Sequence, residues 1–217
     1  MIKALIFDLD GTLVNTEPLH YRAWKATLME NGVAEFTFET FLYYVGMSNE
    51  KLASDFINSD GIEKSVSELV RDKQVMYMEF IPNIQLCEGV HQVLQRYHKT
   101  MELAVASSSH QLEIKAILEA KELTGYFSRV VGGDMVDKKK PDPEIYLKVQ
   151  SLFNVTAEEC IAFEDSASGL NAAKNAGMYG VAIPNEFTRN HDFTRADRIL
   201  STLAEVDDEL IRQLLHS

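Results

Sequence analysis

The chain has 217 residues and an ordinary hydrophobic fraction of 46%, enough for one sizeable domain or a domain with a large insertion. Its net charge of −12 and its single short basic run, at 138–140, disfavour nucleic acid and anionic membranes as partners. No apolar stretch approaches the roughly 18 residues that cross a bilayer, and the two cysteines stand in no metal-binding spacing. We therefore expect a cytoplasmic protein that binds neither nucleic acid nor a membrane, and we expect it to be a monomer.

The first predicted strand, the apolar run at 2–7, is followed by a long segment of a different kind. From 16 to 85 the chain shows helical periodicity with turn signals such as "ENGV" and "SDGI", and no convincing strand. Connections between a strand and the next helix take only a few residues, so this segment is too long to be one. It predicts a small helical domain at 16–85, inserted into a second domain formed by 1–15 and 86–217.

Beyond the insertion, short apolar runs alternate with helical stretches. Strands that alternate with helices at this spacing form βαβ units and a parallel sheet. The sequence therefore predicts an α/β fold with a doubly wound parallel sheet, in which ligands bind at the carboxyl ends of the strands. The further predicted strands are 102–107, 128–133, 160–164 and 179–184, and the predicted helices lie near 88–99, 109–121, 143–153 and 167–176.

Polar side chains follow the predicted strands at the points where the strands end. Because the carboxyl ends of parallel strands meet at one edge of a sheet, these groups should gather around one crevice. A divalent cation would turn the repulsion among their carboxylates into ligation, and an oxygen-rich site suits Mg²⁺. In chain order, the polar side chains are Asp8, Asp10, Ser107, Lys140, Glu164 and Asp165.

Each of these groups has a plainer explanation when it is taken alone. Asp-x-Asp-Gly can begin a calcium loop, but that loop needs glycine sixth and glutamate twelfth, whereas here Gly11 is fourth and Leu19 twelfth. The two aspartates could be solvated in a turn, and "EDS" could start a helix. Ser107 could cap a helix, and Lys140 could lie on the surface. The order and placement of the groups together favour a site.

Four short segments make the pattern specific: "DLDGT", the serine that ends "LAVAS", the lysine of "KKPDP", and "FEDSASGLNAAKNAG". In this order they resemble the four motifs of the haloacid dehalogenase superfamily, over nearly the whole chain. The resemblance implies a Rossmann-like core, with the insertion at 16–85 as the superfamily's helical cap domain. "NTEPLHYRAWKATL" further resembles the subgroup that holds β-phosphoglucomutases and sugar-phosphate phosphatases. Asp10, which the name-giving dehalogenases do not need, favours phosphoryl transfer.

The resemblance also implies the roles of the reacting side chains. Asp8 would be the nucleophile that forms an aspartyl-phosphate, which splits one hard displacement into two easier ones. Asp10 would be the general acid–base, which protonates the leaving alkoxide and later deprotonates water. Lys140 and the Ser107 hydroxyl would hold the remaining phosphoryl oxygens.

A metal ion follows from the same resemblance. Mg²⁺ would be bound by Asp8, the backbone carbonyl of Asp10 and the Asp165 carboxylate, where it screens the nucleophile from the anionic substrate. Glu164 would support the metal indirectly or through a water. Gly11 would let the chain turn away without a Cβ that obstructs the phosphate.

The cap is expected to set substrate specificity. Its candidate substrate contacts are His20, Trp24 and Lys73, although packing explains His20 nearly as well and core burial explains Trp24 better. In the β-phosphoglucomutases, the cap loop that resembles "YVGMSNEK" carries a lysine before the glycine and an arginine that holds the second phosphate. Here those positions are Val45 and Asn49. The absence of the bidentate arginine favours a phosphatase over a mutase.

Three functions stay open on these grounds. The preferred one is a Mg²⁺-dependent phosphatase acting on a small phosphorylated metabolite, a sugar phosphate. The second is a hexose-phosphate mutase like the β-phosphoglucomutases. The third is a non-catalytic binding module. This alternative is disfavoured because every reacting group is present in the sequence. Serine hydrolase, P-loop and nicotinamide-enzyme motifs are absent from the sequence.

Overall fold

The computed structural model of the chain describes residues 1–45 and 47–215. Its contacts divide the chain into two compact units. The core unit joins Met1–Asn15 to Gln85–Ser217, and the cap unit is Thr16–Ile84. The chain thus leaves the core unit once and returns to it once. Over the described ranges, none of the helices has the length and apolar character that crossing a membrane requires.

The core unit contains two sheets. In chain order the strands are β1 (Ala4–Phe7), β2 (Val14–Asn15), β3 (Gln85–Leu86), β4 (Glu102–Ala106), β5 (Arg129–Val131), β6 (Cys160–Glu164), β7 (Tyr179–Ala182) and β8 (Arg198–Ile199). Six strands form one sheet in the order β5-β4-β1-β6-β7-β8, and every neighbouring pair in it is parallel. The strands β2 and β3 form a separate antiparallel pair.

The helices of the described residues fall in both units. In chain order they are α1 (Glu17–Glu30), α2 (Phe38–Tyr44), α3 (Asn49–Asp60), α4 (Val66–Phe80), α5 (Val90–Tyr97), α6 (Gln111–Ala120), α7 (Glu144–Phe153), α8 (Ala167–Asn175) and α9 (Asp208–Leu214). The helices α1 to α4 lie in the cap unit, and α5 to α9 lie in the core unit. The helices α5 to α8 occupy the four predicted helical stretches and alternate with β4 to β7. The predicted α/β fold with a parallel sheet is therefore confirmed.

The central strands are buried along nearly their whole length. All residues of β1 and β6 are buried, and in β4 only Glu102 is exposed. The rings of Phe7 and Phe163, which are partners in the register of β1 and β6, stack with centroids 4.9 Å apart. Burying a side chain of this size stabilises the fold by roughly 1.5–3 kcal/mol. A strand buried on both faces has no polar alternation, which explains why these strands appear as continuous apolar runs.

The shortest elements were not predicted. The strands β2, β3 and β8 have two residues each, which is too short to show any periodic pattern. The sequence predicts Gln85 as the last residue of the helical insertion, but it pairs with Asn15 and lies in the core unit. The last helix, α9, was also missed. It begins after Asp207, whose side chain accepts a hydrogen bond from the backbone N–H of Leu210.

The cap unit is helical and has a hydrophobic core of its own. The helix α4 packs against both α1 and α3, and no strand lies within 16–45 or 47–84. Ser48 caps α3 and Ser65 caps α4 by accepting hydrogen bonds from backbone N–H groups. Gly46, the glycine of the segment "YVGMSNEK", lies outside the described residues. The cap core includes Trp24, Leu28, Phe36, Phe41, Leu52 and Leu69.

Candidate active site

The strand order places three functional strand ends side by side. The strand β1 lies between β4 and β6. Asp8 directly follows β1, Ser107 directly follows β4, and Glu164 is the last residue of β6. These three side chains and that of Asp165 are buried. Polar groups that are far apart in the sequence thus meet at one edge of the sheet, because the strands that carry them are parallel neighbours.

Lys140 reaches this edge from the segment that precedes α7. Its ammonium nitrogen lies 2.7 Å from Asp8 Oδ1, 2.6 Å from Glu164 Oε1 and 2.9 Å from the carbonyl oxygen of Ala106. An ammonium group has three donors, so all of them are used. The Lys140 side chain is only 7% exposed. A lysine this buried is held by its acceptors, and the alternative of a solvated surface lysine is wrong.

Burial governs the charges of these groups. It raises the pKa of Asp8 well above the usual range, against the opposing charge of Lys140. Burial and then the charge of Glu164 raise the pKa of Asp165 to about 8. Burial lowers the pKa of Lys140, but Asp8 and Glu164 outweigh it and the net pKa lies above the usual range. One ammonium therefore does not offset the cluster of carboxylates.

Three carboxylates lie close enough to hold one metal ion. One oxygen from each of Asp8, Glu164 and Asp165 lies within 4.8 Å of the others. Glu164 Oε2 is buried and has no hydrogen-bond partner among the described residues. An unpartnered buried oxygen of this kind costs free energy unless something binds it. A donor set made of carboxylate oxygens suits Mg²⁺, so the residues present fit this ion.

The side chain of Asp10 is held by hydroxyl groups and is not a member of the three-carboxylate cluster. Its Oδ2 accepts hydrogen bonds from Ser107 Oγ at 3.0 Å and from Ser109 Oγ at 2.8 Å. Ser107 does not cap a helix, because α6 begins at Gln111 and His110 precedes it. Ser109 was not predicted, although the serine run at 107–109 was visible in the sequence.

Gly11 allows the loop after β1 to pass close to Asp165. Its φ is +85°, in the left-handed region, and a Cβ there would meet the Asp165 carboxylate and the Asn185 amide nitrogen. The atoms that such a Cβ would displace thus belong to the protein itself, a constraint the sequence did not reveal. Asn185 Nδ2 donates to Asp165 Oδ2 at 2.8 Å, while its Oδ1 accepts from the backbone N–H of Phe187 at 2.9 Å. Asn185 therefore orients the Asp165 carboxylate.

Two further neighbours of Glu164 were not predicted. The Tyr146 hydroxyl donates a short hydrogen bond to Glu164 Oε1, the same oxygen that accepts from Lys140. Burial, followed by the charge of Glu164, raises the pKa of Tyr146 well above its usual range. A Cβ at Gly169, in α8, would overlap the Glu164 carboxylate. Tyr146 lies on the helix that follows the third motif, and Gly169 lies within the fourth motif, but neither position shows in the sequence that it contacts Glu164.

Two of the three predicted cap contacts touch each other. Lys73 Nζ lies 2.8 Å from His20 Nδ1, and the His20 ring stacks on Tyr77 with centroids 4.5 Å apart. Burial, and secondly the charge of Lys73, lower the pKa of His20 well below the usual range. The imidazole is therefore neutral, and because Nδ1 accepts from the ammonium, we assign its proton to Nε2. A substrate contact for either residue stays a prediction.

Trp24, the third predicted cap contact, is 2% exposed and packs in the cap core. Its indole Nε1 donates to Asn49 Oδ1 at 3.2 Å. Both side chains line a cavity of about 180 Å³ within the cap unit, together with His20 and Val45. The two positions that carry cations in the β-phosphoglucomutases thus present an aliphatic and an amide side chain to this cavity.

Comparisons with known proteins agree with the four motifs. The model of the haloacid dehalogenase-like hydrolase family matches residues 5–183. Protein CbbY of Rhodobacter capsulatus is 32% identical over 225 residues, covering 98% of this chain and 99% of that protein. A phosphorylated carbohydrates phosphatase of Thermotoga maritima is 34% identical over 188 residues, covering 83% of this chain and 85% of that protein.

A comparison with solved structures shows that the fold is also shared over nearly the whole chain. The crystal structure of CbbY from Rhodobacter sphaeroides in complex with phosphate superposes with a TM-score of 0.83 at 31% identity, covering 94% of this chain and 96% of that chain. The predicted resemblance is thereby confirmed along most of the sequence. The chain belongs to the haloacid dehalogenase-like hydrolases, in their sugar-phosphate phosphatase subgroup.

Proposed function

We propose that the chain is a Mg²⁺-dependent phosphatase that hydrolyses a small phosphorylated metabolite, a sugar phosphate, through an aspartyl-phosphate on Asp8. One observation carries the proposal: Asp8, at the end of a central strand, is hydrogen-bonded to Lys140 and lies at metal-binding distance from Glu164 and Asp165. An ammonium and a metal ion together would keep this buried carboxylate ionised beside an anionic substrate.

The relatives support the reaction class and the kind of substrate. The chain is a phosphoric monoester hydrolase of the haloacid dehalogenase family. The relative from Thermotoga maritima is named as a phosphatase of phosphorylated carbohydrates, and the Rhodobacter sphaeroides CbbY structure holds phosphate. These names support a sugar phosphate as the substrate here. A monomeric state, a cytoplasmic location and the absence of nucleic-acid or membrane partners belong to the same proposal.

The residues that would hold Mg²⁺ are Asp8, Asp165 and the backbone carbonyl of Asp10, with support from Glu164. When bound, Mg²⁺ supplies positive charge that offsets the repulsion between the carboxylates and the phosphate. Lys140 keeps Asp8 Oδ1 hydrogen-bonded at 2.7 Å and so fixes the orientation of the nucleophile. Ser107 would donate to a phosphoryl oxygen, and Lys140, whose three N–H donors are used by protein acceptors, would stabilise the developing negative charge through its own positive charge.

The reaction would proceed in two displacements at phosphorus. In the first, a carboxylate oxygen of Asp8 bonds to phosphorus, the bond to the ester oxygen breaks, and Asp10 gives that oxygen a proton. In the second, Asp10 takes a proton from water as the water oxygen bonds to phosphorus and the bond to Asp8 breaks. Phosphate leaves, and both aspartates return to their starting states.

A hexose-phosphate mutase is the second candidate, because its reaction uses the same aspartyl-phosphate and the segment around His20 resembles that of the mutases. A mutase must retain a bisphosphorylated intermediate, which needs a cationic clamp for the second phosphate. The positions of that clamp are Val45 and Asn49, and Asn49 Oδ1 already accepts from Trp24. Lys73 lacks the planar fork of an arginine. We therefore infer that water accepts the phosphoryl group.

Phosphate release from a panel of phosphorylated metabolites, measured with purified protein and Mg²⁺, tests the proposed function. We expect hydrolysis of sugar phosphates, loss of activity in EDTA and its return with Mg²⁺.

Asp8→Asn should lower turnover by about a thousandfold or more, since it removes the covalent step, while circular dichroism stays unchanged. The control Asp137→Asn changes an exposed aspartate in the same way and should keep full activity. Asp8→Asn activity within about tenfold of wild type would contradict the assignment of the nucleophile.

β-Glucose 1-phosphate separates the phosphatase from the mutase. If the substrate is accepted, free phosphate should form faster than glucose 6-phosphate, because no arginine retains the intermediate. A coupled assay with glucose-6-phosphate dehydrogenase, run beside phosphate detection, measures both products. Faster formation of glucose 6-phosphate would establish the mutase and assign the clamp to Lys73.

A further inference from the structure

The Asp10 carboxylate uses its two oxygens very differently. Oδ2 accepts two hydrogen bonds, from Ser109 Oγ at 2.8 Å and from Ser107 Oγ at 3.0 Å. Oδ1 is buried and accepts none from the described residues. A carboxylate held by one oxygen in this way has a fixed orientation, and its other oxygen is the one left to exchange a proton.

The two serines cannot hold Asp10 equally throughout the reaction. A serine hydroxyl has a single proton to donate. In the proposed function, Ser107 donates that proton to a phosphoryl oxygen, so its bond to Asp10 must break when substrate binds. Asp10 then keeps one of its two hydroxyl donors, and that donor is Ser109.

The backbone fixes Ser109 for this task. Its N–H donates to Ser107 Oγ at 3.0 Å, and its carbonyl oxygen accepts from the N–H of Gly133 at 2.9 Å. With both backbone groups bonded, the Ser109 hydroxyl approaches Asp10 from an anchored position. Ser108, between the two serines, is exposed and its hydroxyl makes no hydrogen bond within the described part of the chain.

We propose that Ser109 is the positioning residue for the general acid–base of this enzyme: it keeps Asp10 in place after Ser107 has turned its hydroxyl to the phosphate. This inference rests on the proposed function, in which Asp10 protonates the leaving group. Ser109 acts through Asp10, so its loss should matter only when the reaction needs that proton. An alkyl phosphate needs it, because an alkoxide is a poor leaving group, whereas p-nitrophenyl phosphate does not.

The experiment compares kcat/KM for the best sugar phosphate of the panel with kcat/KM for p-nitrophenyl phosphate. For each substrate, kcat/KM reports the steps up to the first irreversible one, which is formation of the phosphoenzyme. Ser109→Ala should lower kcat/KM for the sugar phosphate about tenfold, because it removes one hydrogen bond to a carboxyl group on which negative charge develops as the proton leaves. It should leave p-nitrophenyl phosphate unchanged within about twofold, since proton donation contributes little there.

Three controls keep the result specific. Ser108→Ala, the same change one residue away, should leave both substrates unaffected. Ser109→Thr retains the hydroxyl and should restore most of the sugar-phosphate rate. Asp10→Asn should reproduce the selective loss seen in Ser109→Ala, more severely. Equal losses on both substrates in Ser109→Ala, or no loss on either, would overturn the inference while leaving the proposed function intact.

A crystal structure provides a readout that does not depend on activity. With inorganic phosphate bound to the wild-type protein, Ser107 Oγ should lie within hydrogen-bond distance of the phosphate and Ser109 Oγ within that of Asp10. In Ser109→Ala with phosphate, the Asp10 carboxylate should leave its wild-type position. An unmoved Asp10 would refute the inference. Failure of the wild-type protein to hydrolyse either ester would instead contradict the proposed function.

Discussion

At the scale of single residues, Glu164 connects the parts of the candidate site. Its Oε1 accepts from both Lys140 and Tyr146, and its Oε2 is left for another ligand. A buried carboxylate costs several kcal/mol unless charges and hydrogen bonds compensate it. Tyr146 and Lys140 share Glu164 Oε1, and Lys140 also donates to Asp8. Tyr146 therefore acts on the nucleophile through two intermediate side chains.

Tyr146→Phe should lower phosphatase activity about tenfold to a hundredfold, because it removes one hydrogen bond to a charged acceptor and draws Lys140 toward Glu164. The change removes a single oxygen atom, so the packing of the ring persists. Tyr97→Phe is the matched control: its hydroxyl donates to Asp208 at 3.0 Å in another part of the core unit. We expect that variant to keep wild-type activity. Steady-state kinetics with melting temperatures for both variants provide the measurement, and similar losses in the two would disprove a specific role for Tyr146.

At the scale of elements, the sequence predicted what depends on a single segment. The buried strands β1, β4 and β6 appear as apolar runs, and the motif residues stand directly at their ends. The contacts of Ser109, Tyr146 and Asn185 were missed because they join segments that are distant in the chain. Ser109 lies 99 residues from Asp10, Tyr146 18 from Glu164, and Asn185 20 from Asp165. No local pattern encodes such a pairing, and only the folded sheet creates it.

The loop between β1 and β2 offers a test of one such long-range contact. Gly11 and Gly32 have nearly the same backbone angle, with φ of +85° and +89°, but a Cβ at Gly32 would meet nothing within 4 Å. Both Gly→Ala variants should lose about 1–2 kcal/mol of stability from the left-handed backbone. Only Gly11→Ala also displaces Asp165, so it alone should weaken the binding of Mg²⁺. The Mg²⁺ concentration that gives half-maximal activity should rise about tenfold or more.

Chemical denaturation and Mg²⁺ titration of activity distinguish the two glycine variants. Gly32→Ala should show a lower unfolding free energy with an unchanged Mg²⁺ requirement. Gly11→Ala should show both changes. Equal Mg²⁺ requirements in the two variants would mean that the close approach of Gly11 to Asp165 does not affect the binding of Mg²⁺.

At the scale of the whole molecule, the net charge of −12 opposes an anionic substrate. Salt screens this field within about 8 Å at physiological ionic strength, so the local charges of the site decide binding. The same local charges link stability to pH and to metal. In the metal-free protein, the single positive charge of Lys140 does not balance the carboxylates around it. Protonation of these carboxylates therefore stabilises the folded state.

The metal-free protein should lose stability as the pH rises toward 8. In the folded state, burial and Glu164 raise the pKa of Asp165 from 3.8 to about 8. Between these values the folded protein retains a proton that the unfolded chain releases, so a rise in pH favours unfolding. The contribution is fully present below about pH 4 and is lost as the pH passes through about 8. Asp8, whose pKa is also raised, acts in the same direction.

His20 acts in the opposite direction, because its pKa is lowered and its acid-side penalty ends once the unfolded imidazole is neutral, above about pH 6.5. The comparison therefore belongs between pH 7 and 8, with melting temperatures measured in EDTA for the wild type and for Asp165→Asn. The wild type should lose up to about 1.4 kcal/mol per pH unit from this one group, and the variant should show a shallower slope. Added Mg²⁺ should raise the wild-type melting temperature more at pH 8 than at pH 7, since it binds the ionised carboxylates. If the melting temperatures of the two proteins fall equally between pH 7 and 8, Asp165 does not titrate in the folded state in this range. Charges other than that of Lys140 would then have to compensate the buried carboxylates.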